Sequence, residues 1–268
     1  MGQEKPLAAL SIDMDNKWSY MKTHGDSGWE FYPSYFNVLV PYVLDLLDEL
    51  ELSITFFLVG RDVEREQNHR YIRIIAERGH EPGNHSFHHE PWLHLLQRDR
   101  IRGELEQTHQ LISNVFGVAP LGFRGPGFSW SRELLEALLE LGYRYDASTL
   151  PTFIGPLARL YYFWTAHLSA EERRQRKRLF GTVADGFRAI RPYTWQLGRS
   201  GEILELPVTT IPILRTPFHL SYLLYLSRYS PLLMRNYLQV AVTLCKMTGT
   251  PISFLLHPLD LLGGDQVP

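Results

Sequence analysis

A single cysteine, Cys245, stands in 268 residues. No internal disulfide can form, and that usage suits a reducing compartment. No stretch reaches the roughly 18 uninterrupted apolar residues of a membrane span. Neither sign of charge dominates: 27 Lys and Arg face 29 Asp and Glu, for a net charge of -2. The basic footprint of a nucleic-acid binder is therefore missing, and no nucleic-acid partner is expected. The opening MGQEKPLAALSIDMD has one lysine before a short apolar run that ends in acids. It lacks the long apolar core and small-residue cleavage site of a secretion signal. Internal repeats and low-complexity tracts are also absent. The expectation is a cytoplasmic protein, soluble or held peripherally at the inner face of the membrane.

What is present is 44% hydrophobic and 13% aromatic residues, enough to bury a full core. The length allows one large α/β domain or two small ones, and a single domain over 1–268 is expected, interrupted at about 150–200. LAALSIDMD, 7–15, is an apolar run ending in alternating acids, a buried strand whose carboxyl end turns polar. Residues 16–33 read as a long aromatic loop. Apolar positions from Val38 to Leu50 recur at helical spacing. ITFFLVG, 54–60, is a second buried strand, and a helix near Arg70 to Arg78 closes at Gly79. HEPGNHS follows as a third strand, then an amphipathic helix over 98–116. Ser131 caps a further helix, and YRYDAS, 143–148, is the next strand. Strand and helix alternating in this way imply parallel strands with functional residues at their carboxyl ends.

Residues 150–200 break the rhythm with an aromatic cluster (Tyr161, Tyr162, Phe163, Trp164), a capping box at Ser169 and Glu172, and the basic run RRQRKR. The run reads first as a solvated helix face. The sharper alternative is a peripheral membrane contact, with SYLLYLSRYS at 221–230 on the same surface or in the core. GEILELPVTTIP returns to strand, a helix starts at Ser230 and Pro231, and ISFLLHP ends in His257. GGDQVP looks like an open end.

Chemistry concentrates in GNHSFHHEPW, 83–92, where His85 and His89 can converge on one metal from a helix face or from a strand running into a loop. Two nitrogens do not complete a site, since catalytic zinc usually takes three protein ligands and keeps a position for water. Asp13 and Asp15 point to the same side of a strand. Burying both would require a cation or a proton between them, although a solvated pair of acids fits the pattern equally. Arg124 lies beside the tight turn Gly125, Pro126 and Gly127, Asp146 sits at a strand end, and His257 at the last strand. His88 and His109 read as structural.

Strand ends thus supply Asp13, Asp15, His85, His89, Arg124, Asp146 and His257. The set IDMD, HSFHH, FRGPGF, YDAS and LLHP, in that order over residues 8–258 apart from the insertion at 150–200, resembles the polysaccharide deacetylase (NodB-homology, carbohydrate esterase family 4-like) family. The resemblance implies an α/β fold, a deformed (β/α) barrel, and removal of N-acetyl groups from amino sugars. It implies that Asp15, His85 and His89 bind a divalent metal, zinc first, with cobalt, nickel or iron also fitting. Asp13 would be the general base, His257 the general acid and Arg124 the group that orients Asp13. Gly127, with Phe128 beside it, would face the developing oxyanion. Ser86 would steady the ligand loop.

Three departures stand out. D-x-D replaces adjacent acids, so ligand and base roles could be exchanged; Phe128 stands where glycine is usual; and YDAS lacks a tryptophan, so Asp146 either tunes His257 or serves the substrate side. The expected substrate is an N-acylated amino sugar in a polysaccharide or in a lipid- or nucleotide-linked precursor. Two alternatives remain: a cyclic imide or ureide hydrolase of the same fold, and a non-catalytic metal- or sugar-binding module. Sugar, acyl group and oligomeric state are not encoded in any of these patterns.

Overall fold

The computed structural model describes residues 8–176, 179 and 181–263. MGQEKPL, GDQVP and part of the basic run (Lys177 and Arg178) lie outside the described residues. Among the described residues eight strands form one sheet in the order β6-β7-β5-β4-β3-β2-β1-β8. They are β1 (Ala8–Asp13), β2 (Thr55–Leu58), β3 (Glu81–Asn84), β4 (Gly122–Phe123), β5 (Tyr145–Asp146), β6 (Tyr193–Gln196), β7 (Glu202–Glu205) and β8 (Ile252–Leu256). All neighbours pair in parallel except β6 and β7. The sheet curls into the expected deformed barrel and stays open between β6 and β8.

Among the described residues ten helices cover it: α1 (Lys17–His24), α2 (Phe36–Glu49), α3 (Gly60–Glu64), α4 (Glu66–Glu77), α5 (Arg98–Phe116), α6 (Arg132–Glu140), α7 (Gly155–Thr165), α8 (Ala170–Gln175), α9 (Leu220–Ser227) and α10 (Pro231–Thr248). Periodicity explains the ones that carry an apolar stripe. Leu39, Val40, Val43 and Leu47 of α2 pack with Ile72 and Ile75 of α4 against Phe56 and Leu58 of β2. Leu134, Leu135 and Leu138 of α6 pack with Ile101 and Leu105 of α5 on Phe123. Ser131 caps α6 by accepting from the N–H of Leu134.

The loop expected over 16–33 is instead largely α1 plus a 3-10 turn, Trp29–Phe31. KWSYMKTH has no apolar stripe, so periodicity could not reveal it; tertiary bonds hold it in place. Trp18 Nε1 donates to the Asp62 carboxylate at 3.0 Å, Tyr162 Oη to the Thr23 carbonyl at 2.7 Å, and His167 N to the His24 carbonyl at 2.8 Å. The interruption at 150–200 folds as α7, α8 and the antiparallel edge strand β6. The basic run is not a uniformly solvated face. Arg173 and Arg174 are exposed, but Arg176 is buried, lying 4.2 Å over the Trp92 ring and donating to Tyr162 Oη at 2.9 Å.

Register fixes where side chains emerge. Ile12 faces Leu256, Leu58 faces Asn84, Asn84 faces Phe123 and Phe123 faces Asp146 across the ladder. The residues at or just past these ends, Asp13, His85, Arg124 and His257, therefore line one rim.

Beneath that rim, Asp62 is fully buried and accepts from Asn16 Nδ2 at 3.1 Å as well as from Trp18. Burial pushes its pKa up to about 6, against the lowering pull of Arg65 and these donors. The raised value makes the stabilising, protonated state complete below the ordinary carboxylate range and lost as pH rises through about 6. Asp62→Asn is expected to gain about 2–3 kcal/mol over the native chain near neutrality and nothing at about pH 4. Urea denaturation at both pH values checks this, and a pH-independent difference would contradict it.

Candidate active site

Three ligand atoms meet at the centre of the rim. Asp15 Oδ1 lies 3.3 Å from His85 Nε2 and 3.0 Å from His89 Nε2, and the donor atoms of the triad all lie within 4.8 Å of one another. All three residues are buried. Asp15 Oδ1 and His89 Nε2 nevertheless find no hydrogen-bond partner among the described residues. A buried carboxylate oxygen and two imidazole nitrogens pointed at one another are a donor set shaped for a cation, and the types suit zinc or a neighbouring divalent metal. His85 Nδ1 lies 2.6 Å from the Arg124 carbonyl. Donation there places the ring proton on Nδ1 and leaves Nε2 free to bind.

The electrostatics follow. Burial would raise the Asp15 pKa, but His89 and His85 hold it well below the usual carboxylate range. His85 is pushed down by burial and pulled up more strongly by Asp13, Asp15 and the Arg124 carbonyl, so it ends above its ordinary value.

Asp13 sits beside this triad, its Oδ2 3.9 Å from His85 Nε2. Its other oxygen takes a 2.7 Å ion pair from Arg124 Nη1, which also reaches Ser11 Oγ at 2.8 Å. Arg124 is itself buried, spans to the Ala147 carbonyl at 3.1 Å and lies 4.2 Å over the Phe57 ring. A guanidinium so fixed holds Asp13 in one orientation.

His257 follows β8 across from Asp13. Its Nδ1 is 3.2 Å from Ser221 Oγ and 3.6 Å from Asp260 Oδ2, and Ser221 donates to Asp260 at 2.9 Å. Burial lowers the His257 pKa, but Asp260, Asp13 and Asp15 together carry it above the ordinary histidine value.

Asp146 does not reach His257. Its Oδ1 accepts from Ser148 Oγ, whose oxygen takes the Gly125 N–H at 2.7 Å. Burial and neighbouring Glu205 push the Asp146 pKa well up. Burial raises Glu205 too, although it accepts from the Thr149 N–H at 3.0 Å, from Thr149 Oγ1 at 2.6 Å and from Trp195 Nε1 at 2.9 Å. Two buried carboxyls in contact hold one proton between them. Asp146 therefore braces the turn that carries Gly127 and Phe128, and the acid beside His257 is Asp260.

Gly127 has φ +59°, and a Cβ there would come within 2.8 Å of Pro91 Cβ, so the turn closes only with glycine. Phe128 adopts φ +60° and lines the cavity with it.

The ligand loop is strained at Ser86 (φ +59°) and His89 (φ +50°). The Ser86 hydroxyl meets no partner among the described residues. Asn84 Oδ1 instead accepts the Ser86 N–H at 2.8 Å, and Glu104 Oε2 accepts the N–H groups of Phe87 at 3.0 Å and His88 at 2.8 Å. His88 contacts Glu104 and stays outside the triad, as expected of a loop histidine.

Sequence reasoning missed Glu104, Asp260 and Tyr20. Glu104 lies on the buried face of α5, where an acid among apolar positions was the available signal. Asp260 stands three residues after His257, a spacing visible in the chain. Tyr20 has its pKa driven well up by burial and by the Asp15 charge; its place among the aromatics of 16–33 was the one signal, and it marked a pocket wall rather than a neighbour of Asp15.

A cavity of about 320 Å³ opens over these groups, walled by Tyr20, Gly127, Phe128, Ala158 and Tyr161. A second, of about 220 Å³, shares Gly127, Phe128 and Ala158 with it and continues past His219 and Tyr222.

Residues 24–145 match the polysaccharide deacetylase family. The chain is 28% identical over 148 residues to the peptidoglycan deacetylase of Helicobacter pylori, covering 54% of this chain and 50% of that protein. It is 33% identical over 115 residues to the peptidoglycan-N-acetylmuramic acid deacetylase of Bacillus subtilis, covering 42% of this chain and 43% of that one. The chain thus spans no more than half the length of these curated relatives. A solved structure from Mycobacterium smegmatis, assigned to the polysaccharide deacetylases, covers 96% of this chain and 79% of its own at a TM-score of 0.60 and 21% identity, a likeness of fold.

Calorimetric titration of chelator-treated protein with Zn²⁺ should show one saturable site. His89→Ala should weaken it by at least about tenfold, while Asp13→Asn should leave it within about threefold. Equal loss in both variants would contradict the division between ligands and neighbour.

Proposed function

We propose that the chain, whose residues 24–145 match the polysaccharide deacetylase family, is a metal-dependent hydrolase removing an N-acetyl group from an amino sugar. One observation carries the reading: three buried ligand atoms within 4.8 Å of one another, flanked by an arginine-held carboxylate and an acid-backed histidine. The relatives' names fit the same chemistry, two of them acting on peptidoglycan.

Asp15, His85 and His89 would hold the cation, and a divalent metal there supplies carbonyl polarisation and a more acidic water. Everything else falls to the chain. Asp13, fixed by Arg124, takes the proton of the attacking water. His257, whose pKa is raised with Asp260 beside it, gives its proton to the departing nitrogen as the C–N bond breaks, leaving a free amine and acetate. Asp260 and Ser221 keep the imidazole turned toward the cavity. The Gly127 turn faces the carbonyl oxygen, and the Asp146–Ser148–Gly125 chain of bonds keeps it in place. Converging ligands of this kind disfavour the cyclic imide alternative, whose relatives often lack the complete triad.

Acetate release from N-acetylated chito-oligosaccharides tests the reading against the binding-module alternative. Asp13→Asn should lower kcat by roughly 10²–10⁴-fold with the metal retained. Unchanged turnover, or none in the native protein, would refute it. Asp260→Asn removes a group that raises the His257 pKa, so the alkaline limb of the kcat profile should move to lower pH. A lower kcat without a moved limb would assign Asp260 a packing role only.

A further inference from the structure

Acidic residues are missing from two long stretches. None lies between Asp146 and Glu171 and none between Glu205 and Asp260, although the chain holds 29. The cations in those stretches are Arg159, Arg215, Arg228, Arg235 and Lys246. Among the described residues Arg215, Arg228, Arg235 and Lys246 form no ion pair. These two stretches are therefore net positive in a chain that is nearly neutral overall.

The same stretches roof the two cavities. Ala158 and Tyr162 of α7 face inward, while Leu157, Leu160 and Trp164 face out, Trp164 at 83% exposure. Tyr161, at the cavity mouth, lies within electrostatic reach of Tyr225 on α9, which packs edge-on to Tyr229 with ring centres 5.4 Å apart. The turn over residues 212–215 is tied to the start of α7 by a 2.7 Å bond from Thr152 Oγ1 to the Arg215 carbonyl. At its tip Ile213 is 79% exposed at φ +72°. A β-branched residue is rarely found in that conformation, and burial does not explain the strain here.

We propose that this face docks on the surface of an anionic phospholipid bilayer, with the cavity mouth toward the lipid, and that the sugar acted on is attached to a membrane lipid. Tryptophan and tyrosine sit well at the headgroup level, and aliphatic side chains enter the boundary below it. Unpaired arginines without acids are drawn to negative headgroups, whereas most protein surfaces would offer both signs. The attachment proposed is peripheral; among the described residues no helix is long and apolar enough to cross a membrane. The substrate half of the proposal rests on the hydrolase reading; the docking half stands without it.

Sedimentation with phosphatidylcholine vesicles, with and without phosphatidylglycerol, tests docking, alongside turnover of a water-soluble N-acetyl chito-oligosaccharide. Binding should be at least about tenfold stronger to the anionic vesicles and weaken with salt. Trp164→Ser with Ile213→Ser should abolish it and leave soluble turnover unchanged. Arg228→Glu with Arg235→Glu, a change of surface charge alone, should weaken it by a similar factor. An active enzyme that stays in the supernatant with every vesicle overturns docking and leaves the hydrolase reading intact. Vesicle binding without turnover does the reverse. Self-association dispersed by the Trp164 and Ile213 changes, with no vesicle binding, assigns the face to a second copy and also overturns the proposal.

Discussion

Two carboxylates, Asp13 and Asp15, are buried two residues apart at the end of one strand, and the architecture around them answers the cost of that placement. Unpaired buried charge is expensive, and two of one sign compound the expense. Each acid receives its own partners. Arg124, brought by β4, takes Asp13. His85 and His89, brought by the end of β3, take Asp15. The parallel register delivers these groups from strands far apart in sequence, and it also lays His257 next to Asp13. Remove the arginine and Asp13 loses its orientation; remove the imidazoles and Asp15 loses its reason to be buried.

Supports of the same kind recur one step further out. Asp62 ties Asn16 and Trp18 beneath the Asp15 turn, Glu104 gathers the N–H groups of the ligand loop, and Asp146 with Glu205 anchors the Gly125–Phe128 turn. Four buried acids at three places thus hold the segments that carry site residues. Strain at Ser86, His89, Gly127 and Phe128 is concentrated where these supports converge. That distribution fits a site whose groups are held before substrate arrives.

Much of this was legible in the chain. Period-two alternation in LAALSIDMD placed both aspartates on one side, and the apolar stripes of α2, α5 and α6 gave the helices that cover the sheet. The histidine spacing and the order of strand ends were enough to bring the triad together. What escaped was held by long-range contacts. α1 has no apolar stripe and is kept by bonds to residues far along the chain. Asp260 and Glu104 act through hydrogen bonds whose geometry a pattern does not contain. The sequence leaves Asp146 between tuning His257 and serving the substrate side, and it does not show that β8 and β5 stand at different places in the sheet.

The central claim is that the opening strand and the histidine loop share one cation. Anomalous diffraction at the zinc edge from crystals grown with Zn²⁺ tests it most directly. The account predicts one strong peak at about 2.0–2.2 Å from an Asp15 oxygen and from the Nε2 atoms of His85 and His89, with Asp13 outside bonding distance. No peak there, or a peak bonded to Asp13 in place of Asp15, would contradict it.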